Sequence, residues 1–268
     1  MIALTKPKGS GETLKFYAFG CVHAPLQDDE CIDWHCKNIQ EQKPDLIVNL
    51  GDGFEADAAS RWPSEYGWSL RDEYEVHESI LKKIRLAWPS AERKYLLGNH
   101  CDNILSINRI DQKLRGLVDF RSEHLCPELH KHWDIAAEYT YSRSRGVYRR
   151  GQVTFGHGYD CNQNADEHHS LILGVPFGLY IGAHTHKPLQ VTEAKKGQIP
   201  LKHWYANAGM SRKFDPDYIR RKRQFAWGQA GVFGELKDIK SPRVNREWSA
   251  HTETFRMFND WDSQTKRK

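Results

Sequence analysis

Between Pro44 and Gly51 the chain reads Asp45-Leu46-Ile47-Val48-Asn49-Leu50, apolar without alternation. A strand with one wet face alternates in polarity. A short continuous run reads instead as a strand buried on both faces, which must lie inside a layered fold. Similar runs recur at Leu14-Lys15-Phe16-Tyr17-Ala18-Phe19, Arg93-Lys94-Tyr95-Leu96-Leu97, Gln152-Val153-Thr154-Phe155 and Leu179-Tyr180-Ile181. Between them the spacing turns helical. Cys31, Ile32, His35 and Ile39 share a face over 28–42, and Val76, Ile80, Ile84 and Ala87 do so over 70–88. A short helix is expected over 165–173. Strand, polar loop, helix and strand, repeated, predict an α/β sheet.

The remainder is read more coarsely. Residues 101–132 are helical or irregular. Gly146-Val147-Tyr148 pairs with the run at 152–155, 189–194 and 199–206 form a hairpin around Lys195-Lys196-Gly197, and 230–236 and 247–255 are two further strands. With no repeat, low-complexity tract or linker, 1–258 is expected to be one domain and 259–268 a flexible tail.

Of the 268 residues 39% are hydrophobic and 28% charged, the balance of a globular protein rather than a disordered one. No apolar run approaches the roughly 18–20 residues that span a bilayer, and Met1 to Thr13 lacks an apolar signal core, so the expectation is a cytoplasmic protein without a membrane partner. In that setting the six cysteines, at 21, 31, 36, 101, 126 and 161, are expected as reduced thiols rather than a disulfide framework. A net charge of +4 is too small to name a partner.

The chemistry collects where the apolar runs end. His23, Asp52, Asn99-His100, His157 and His184-Thr185-His186 each follow a predicted strand. Carboxyl ends of parallel strands share one edge, where ligands bind. On an extended segment His184 and His186, two apart, share a side. One such histidine is ordinarily a loop or core residue. Five segments delivering imidazole, carboxylate and amide groups to one edge point to a divalent or transition metal ion.

In order, Cys21-Val22-His23, Gly51-Asp52, Gly98-Asn99-His100, Gly156-His157 and Ala183-His184-Thr185-His186 resemble the five motifs of the calcineurin-like metallophosphoesterases, Asp-x-His, Gly-Asp, Gly-Asn-His-(Asp/Glu), Gly-His and Gly-His-x-His. Asn207-Ala208-Gly209-Met210-Ser211 is similar to the family's Asn-Pro-Gly-Ser segment. The resemblance spans residues 16 to about 211. It implies a four-layer αββα sandwich with two metal ions, drawn from Mn, Fe, Zn or Ni. It implies that Asp52 bridges them, with His23 and His186 on one and Asn99, His157 and His184 on the other. His100 would stand beside the substrate and, with Asp52, serve catalysis. The implied chemistry is phosphoester hydrolysis by a metal-bridging hydroxide, with His100 stabilising developing charge or protonating the leaving oxygen.

Three positions depart from the pattern. Cys21 stands where the family has its first Asp. Either its thiolate ligates, favouring softer ions over Mg, or it does not and the first site is weak. Cys101 replaces the acid after Asn-His, which puts support of His100 in question; Asp102 is a candidate substitute. Ala183 replaces a glycine. Cys161, four residues past His157, adds a third thiol near a motif. Either Cys21 and Cys101 make the site redox-sensitive, or the three are simply small buried side chains.

Positive charge clusters at Arg143, Arg145, Arg149 and Arg150 and again at Arg212, Lys213, Arg220, Arg221, Lys222 and Arg223. Such clusters suit a nucleotide or nucleic-acid substrate, with Arg149, Arg212 and Lys213 as contacts, or else form solvated faces. The aromatic segment Trp62 to Tyr74 is a lid that stacks a base, or packing. His168-His169 reads as surface or helix-capping. The favoured function is a binuclear metal-dependent phosphodiesterase acting on a nucleotide or nucleic acid. The alternatives are an Mre11-like DNA exonuclease, a phosphomonoesterase on a protein or small molecule, and a non-catalytic scaffold with a decayed site.

Overall fold

The structure, a computed structural model, describes residues 12–60, 67–110, 113, 117–195, 201–222, 225–237 and 247–265. Two sheets form its centre. The first contains β1 (Thr13–Phe19), β2 (Leu46–Asn49), β3 (Glu92–Leu96), β4 (Asp134–Ala137), β10 (Gly228–Lys237) and β11 (Trp248–Met257), in the order β11-β10-β1-β2-β3-β4. The second contains β5 (Tyr148–Arg150), β6 (Val153–Phe155), β7 (Leu179–Gly182), β8 (Leu189–Glu193) and β9 (Trp204–Asn207), in the order β5-β6-β7-β9-β8.

Side-chain alternation builds the layers. Leu14, Phe16 and Ala18 of β1 and Leu46 and Val48 of β2 face the second sheet, where they meet Val153, Phe155, Leu179 and Ile181. Phe16 and Phe155 pack edge to face across this interface, ring centres 5.4 Å apart, each burial contributing about 1.5–3 kcal/mol. Tyr17, Phe19, Ile47 and Tyr95 point the other way, onto α1 (Asp29–Gln42) and α2 (Leu70–Ala87) through Ile32, Ile39, Ile80, Leu81 and Ile84. α3 (Asn99–Ile110) and α4 (Pro127–His132) follow, and behind the second sheet Tyr180 packs with Leu173 of α5 (Ala165–Leu173). The order helix, sheet, sheet, helix is the αββα sandwich the motifs imply. The run at 45–50 is continuous because both its faces are covered.

Local chemistry sets the helix ends. Asp28 accepts from the backbone N–H groups of Glu30 and Cys31 to start α1, and Ser69 forms a reciprocal capping box with Asp72 to start α2.

Three elements differ from the sequence expectation. β4 is a four-residue, half-exposed edge strand with too short a pattern to read. α6 (Pro216–Lys222) lies within the second basic cluster. The segment 259–268, expected to fray, instead begins as part of α7 (Phe258–Thr265). Phe258 is buried and Trp261 packs on the inter-sheet core, so two aromatic anchors outweigh the polar composition. Residues 196–200, the expected hairpin tip, lie outside the described residues; the β8–β9 pair itself is antiparallel. Among the described residues no helix is long and apolar enough to cross a membrane.

β1 to β4 are mutually parallel, as are β6, β7 and β9. The motif loops leave the carboxyl ends of these strands and meet at one edge.

Candidate metal centre

Backbone pairing continues past β1 and β2 into the loops. Cys21 N–H donates to Gly51 O and His23 N–H to Asp52 O, both at 2.9 Å. The first two motifs are thereby clamped side by side. Ser211 N–H donates to Cys21 O at 3.1 Å, which ties in the Asn-Ala-Gly-Met-Ser segment. From the other sheet, Ala183 and His184 N–H both donate to His157 O, at 3.2 and 3.1 Å.

Four of the candidate ligands sit in the left-handed region: Cys21, His23, Asp52 and His186, with φ of 50°, 53°, 50° and 59°. Each such residue costs on the order of 1–3 kcal/mol, and clusters of them mark functional sites. Gly51 must be glycine. Its φ is +104°, and a Cβ would lie 2.8 Å from His157 Nδ1.

Two groups of donor atoms result. In the first, His23 Nε2 and His186 Nε2 lie 3.3 Å apart, with Cys21 Sγ beside them. In the second, His157 Nε2 lies 3.0 Å from Asp52 Oδ2, 3.1 Å from Asn99 Oδ1 and 3.0 Å from His184 Nδ1. The tautomers follow from the far side of each ring. His157 Nδ1 faces Leu50 O at 2.9 Å, and a carbonyl can only accept, so the proton is on Nδ1. His23 Nδ1 likewise faces the Glu55 carboxylate at 2.8 Å. When neutral, rings so oriented turn the Nε2 lone pair of His23 toward His186 and that of His157 toward the oxygens of Asp52 and Asn99. Acceptors converging without a proton between them are the arrangement a cation completes, and imidazole with carboxylate and amide oxygen suits a borderline divalent ion. The residues present therefore fit the implied metals.

The electrostatics agree. Burial alone would push the Asp52 carboxyl up, but the imidazoles of His157, His100 and His23 outweigh it and hold it well below the usual carboxylate range. Burial lowers His184 to about 3 and His186 well below its ordinary value, keeping both neutral and able to ligate. Burial, then Asp52, pushes the Cys21 thiol up.

His100 differs from the other rings. Its N–H donates to Asp52 Oδ1 at 3.0 Å, and its Nδ1 contacts the Glu55 carbonyl at short range. Burial disfavours its charged form, but Asp52 and Glu55 more than offset that, and its pKa is raised. The Glu55 carbonyl is the support that Asp102 was a candidate to supply.

Sequence reading missed Glu55. Its carboxylate binds His23 and lies 3.6 Å from Arg212 Nη1, and these two partners with His100 outweigh burial and hold its pKa to about 2. The only sequence signal is a second acid three residues past Asp52. Also missed was Asp166, which accepts from Asn207 Nδ2 at 2.8 Å and Thr185 Oγ1 at 3.2 Å and so braces the His184-Thr185-His186 turn.

Of the expected substrate contacts, Arg212 reaches the centre. It is 9% exposed, and its Nε is buried with no hydrogen-bond partner among the described residues. Lys213 is exposed beside it. Arg149 is not brought to the centre; it donates to Leu173 O at 2.6 Å, at the end of α5. Arg143 donates to carbonyls of the same helix, Arg145 pairs with Glu138 and Arg150 with Glu92. Arg220 pairs with Asp262, Arg221 lies over the Tyr218 ring, and Arg223 is outside the described residues. Of the aromatic segment, 61–66 is likewise outside them, while Tyr74 packs on Phe54 and Phe120. His168 is exposed as expected. His169 is buried instead, because its Nε2 accepts from Tyr159 N–H at 3.1 Å beneath the loop that follows His157.

Five motifs at the strand ends of an αββα sandwich decide the architecture. The fold is metallophosphoesterase-like. No family model and no curated protein matches the chain. Among solved structures it is similar to the phosphoesterase Yfce from E. coli (12% identity over 83% of this chain and 87% of that one, TM-score 0.40). It is also similar to Vacuolar Protein Sorting 29 from Cryptosporidium parvum (12%, 91% and 98%, 0.41) and a phosphatase of Mycoplasma pneumoniae (14%, 91% and 94%, 0.42). These likenesses are distant, and the reading of the centre rests on its own geometry.

Proposed function

We propose that this chain is a metal-dependent phosphoric ester hydrolase whose substrate is a small phosphodiester of nucleotide type. The observation that carries it is the pairing of an acceptor-lined centre with His100, whose pKa is raised by Asp52 and Glu55, and the guanidinium of Arg212 at its rim. Asp52, Asn99, His157 and His184 would hold one cation and Cys21, His23 and His186 the other. When bound, such cations supply Lewis-acid activation of water and neutralise phosphate charge.

The chain's own residues do the rest. His100 is fixed through Nδ1, so Nε2 is the nitrogen that presents a proton to a phosphate oxygen or a leaving alkoxide. The guanidinium of Arg212 is held by Glu55, and its Nε–H, unpartnered among the described residues, is a donor for a second phosphate oxygen. A nucleotide-sized substrate is favoured over a long polyanion because the arginines of the first basic cluster are engaged by carbonyls and carboxylates of the chain itself. Retention of Asp52, Asn99, His100, His157, His184 and His186 argues against a decayed scaffold.

The test is hydrolysis of bis-p-nitrophenyl phosphate beside p-nitrophenyl phosphate. Chelator-stripped protein is reloaded with Mn, Zn, Ni or Fe, with His100→Ala as control. Diester turnover that needs both metal and His100 is the expected result. Monoester preference overturns the diester assignment, and silence on both esters with every metal overturns the hydrolase.

A further inference from the structure

The two groups of donor atoms share one side chain. Cys21 Sγ lies within 4.8 Å of the ligand nitrogens of His23 and His186, and within the same distance of an Asp52 oxygen and a His157 nitrogen. Asp52, which the family resemblance places on the bridge, belongs to the second of these groups and not to the first. We propose that Cys21 supplies a thiolate to both cation positions, and that this makes the centre select thiophilic borderline ions such as Zn, Co or ferrous iron over Mg and Mn. The inference rests on the metal-centre reading above and deepens it.

The placement of the sulfur supports it. Cys21 is fully buried at the end of β1, clamped through its N–H to Gly51 and through its carbonyl to Ser211. Its left-handed backbone, φ 50°, is a conformation that cysteine adopts only when its surroundings impose it. The Sγ has no hydrogen-bond partner among the described residues. It lies within reach of both groups of donor atoms. The carboxylate that the family pattern has here is a hard oxygen donor. A thiolate presents one soft atom with three lone pairs, enough for a cation on either side. On binding, the S–H bond breaks, sulfur–metal bonds form, and the proton leaves to solvent. Cys21 joins the inter-sheet apolar cluster on one side, and its sulfur faces His23, His186, Asp52 and His157 on the other.

The experiment is titration of the metal-free full-length protein with cobalt(II), followed by its near-ultraviolet thiolate-to-cobalt charge-transfer absorption. The band is expected to grow through two equivalents of metal. It should persist in Cys161→Ala and in Cys101→Ala, which remove the other thiols near the centre, and vanish in Cys21→Ser with cobalt still bound. In competition experiments Cys21→Asp should shift the Zn-over-Mn preference toward Mn by tenfold or more. A band that saturates at one equivalent makes Cys21 a terminal ligand and overturns the bridge. Cobalt bound without the band, or an unchanged Zn-to-Mn ratio in Cys21→Asp, overturns the thiolate assignment. Because the readout is metal uptake, these outcomes are separate from the hydrolase test. Two cobalt ions with the full band and no ester hydrolysis would sink the proposed activity alone.

Discussion

Cys161 Sγ lies 3.0 Å from His184 Nε2, on the opposite side of the imidazole from His157. The thiol thereby occupies the nitrogen that His184 does not turn toward Asp52, Asn99 and His157, and fixes the orientation of the ring. Partners of this kind typically govern metal affinity by 10–100-fold. Cys161→Ala is expected to weaken one of two metal-binding steps by about tenfold and Cys161→Ser to restore most of it, measured by competition with a chromophoric chelator. Equal weakening of both steps would mean a general loosening of the fold.

Glu55 plays the same part for the other group and anchors Arg212 as well. Glu55→Gln keeps an acceptor for His23 Nδ1–H but loses the charge. It should reduce affinity at the His23 position by about tenfold, and Glu55→Ala by more. Calorimetric titration of both variants with Zn checks the order. Identical affinities for Gln, Ala and the parent would remove Glu55 from the centre.

The loop carrying Glu55 has its own support. The fully buried Glu73 accepts from Ala56 N–H and Asp57 N–H, the latter at 2.8 Å. Burial, only partly offset by these donors, raises its pKa to about 7. A carboxyl raised on folding binds more protons in the folded than in the unfolded state. Its contribution is therefore full below the unfolded pKa of about 4.3 and is lost as pH rises through about 7. Stability should fall by about 2–3 kcal/mol across that window, and Glu73→Gln should flatten the fall. Urea midpoints at several pH values, measured on the metal-free protein, test this; parallel profiles for parent and variant would rule it out.

Gly98 leaves no room for a side chain, since a Cβ there would run into Asp52 Oδ1 and press on Asp52 N. Gly98→Ala is expected to displace the carboxylate. Cation binding should be lost while the far-ultraviolet circular dichroism stays unchanged. Normal metal uptake by the variant would show that Asp52 has freedom the structure denies it.

The strands that carry the site could be read from the chain because burial on both faces leaves an unbroken apolar run, and the polar residue that ends each run is the one that reaches the edge. His23, Asp52, Asn99, His157 and His184 are legible for that reason. Glu55, Cys161 and Asp166 are not. Each acts through a partner 18 or more residues away in sequence, and nothing local distinguishes Asp166 from the neighbouring Glu167. Charge misleads in the same way. Arg149 and Arg212 look alike in sequence, yet one guanidinium rests on the carbonyl of Leu173 and the other enters the centre beside Glu55. The polar segment beginning at Phe258 conceals two aromatic anchors, Phe258 and Trp261, whose partners lie between the sheets.

The left-handed residues Cys21, His23, Asp52 and His186 have a consequence for how the molecule can change. Their backbone is costly in the folded chain, and what they bind offsets part of that cost. Substitutions that relax those turns would raise the melting temperature of the metal-free protein while erasing its centre. Selection for thermal robustness alone would therefore strip the metal ligands first and leave the sandwich standing.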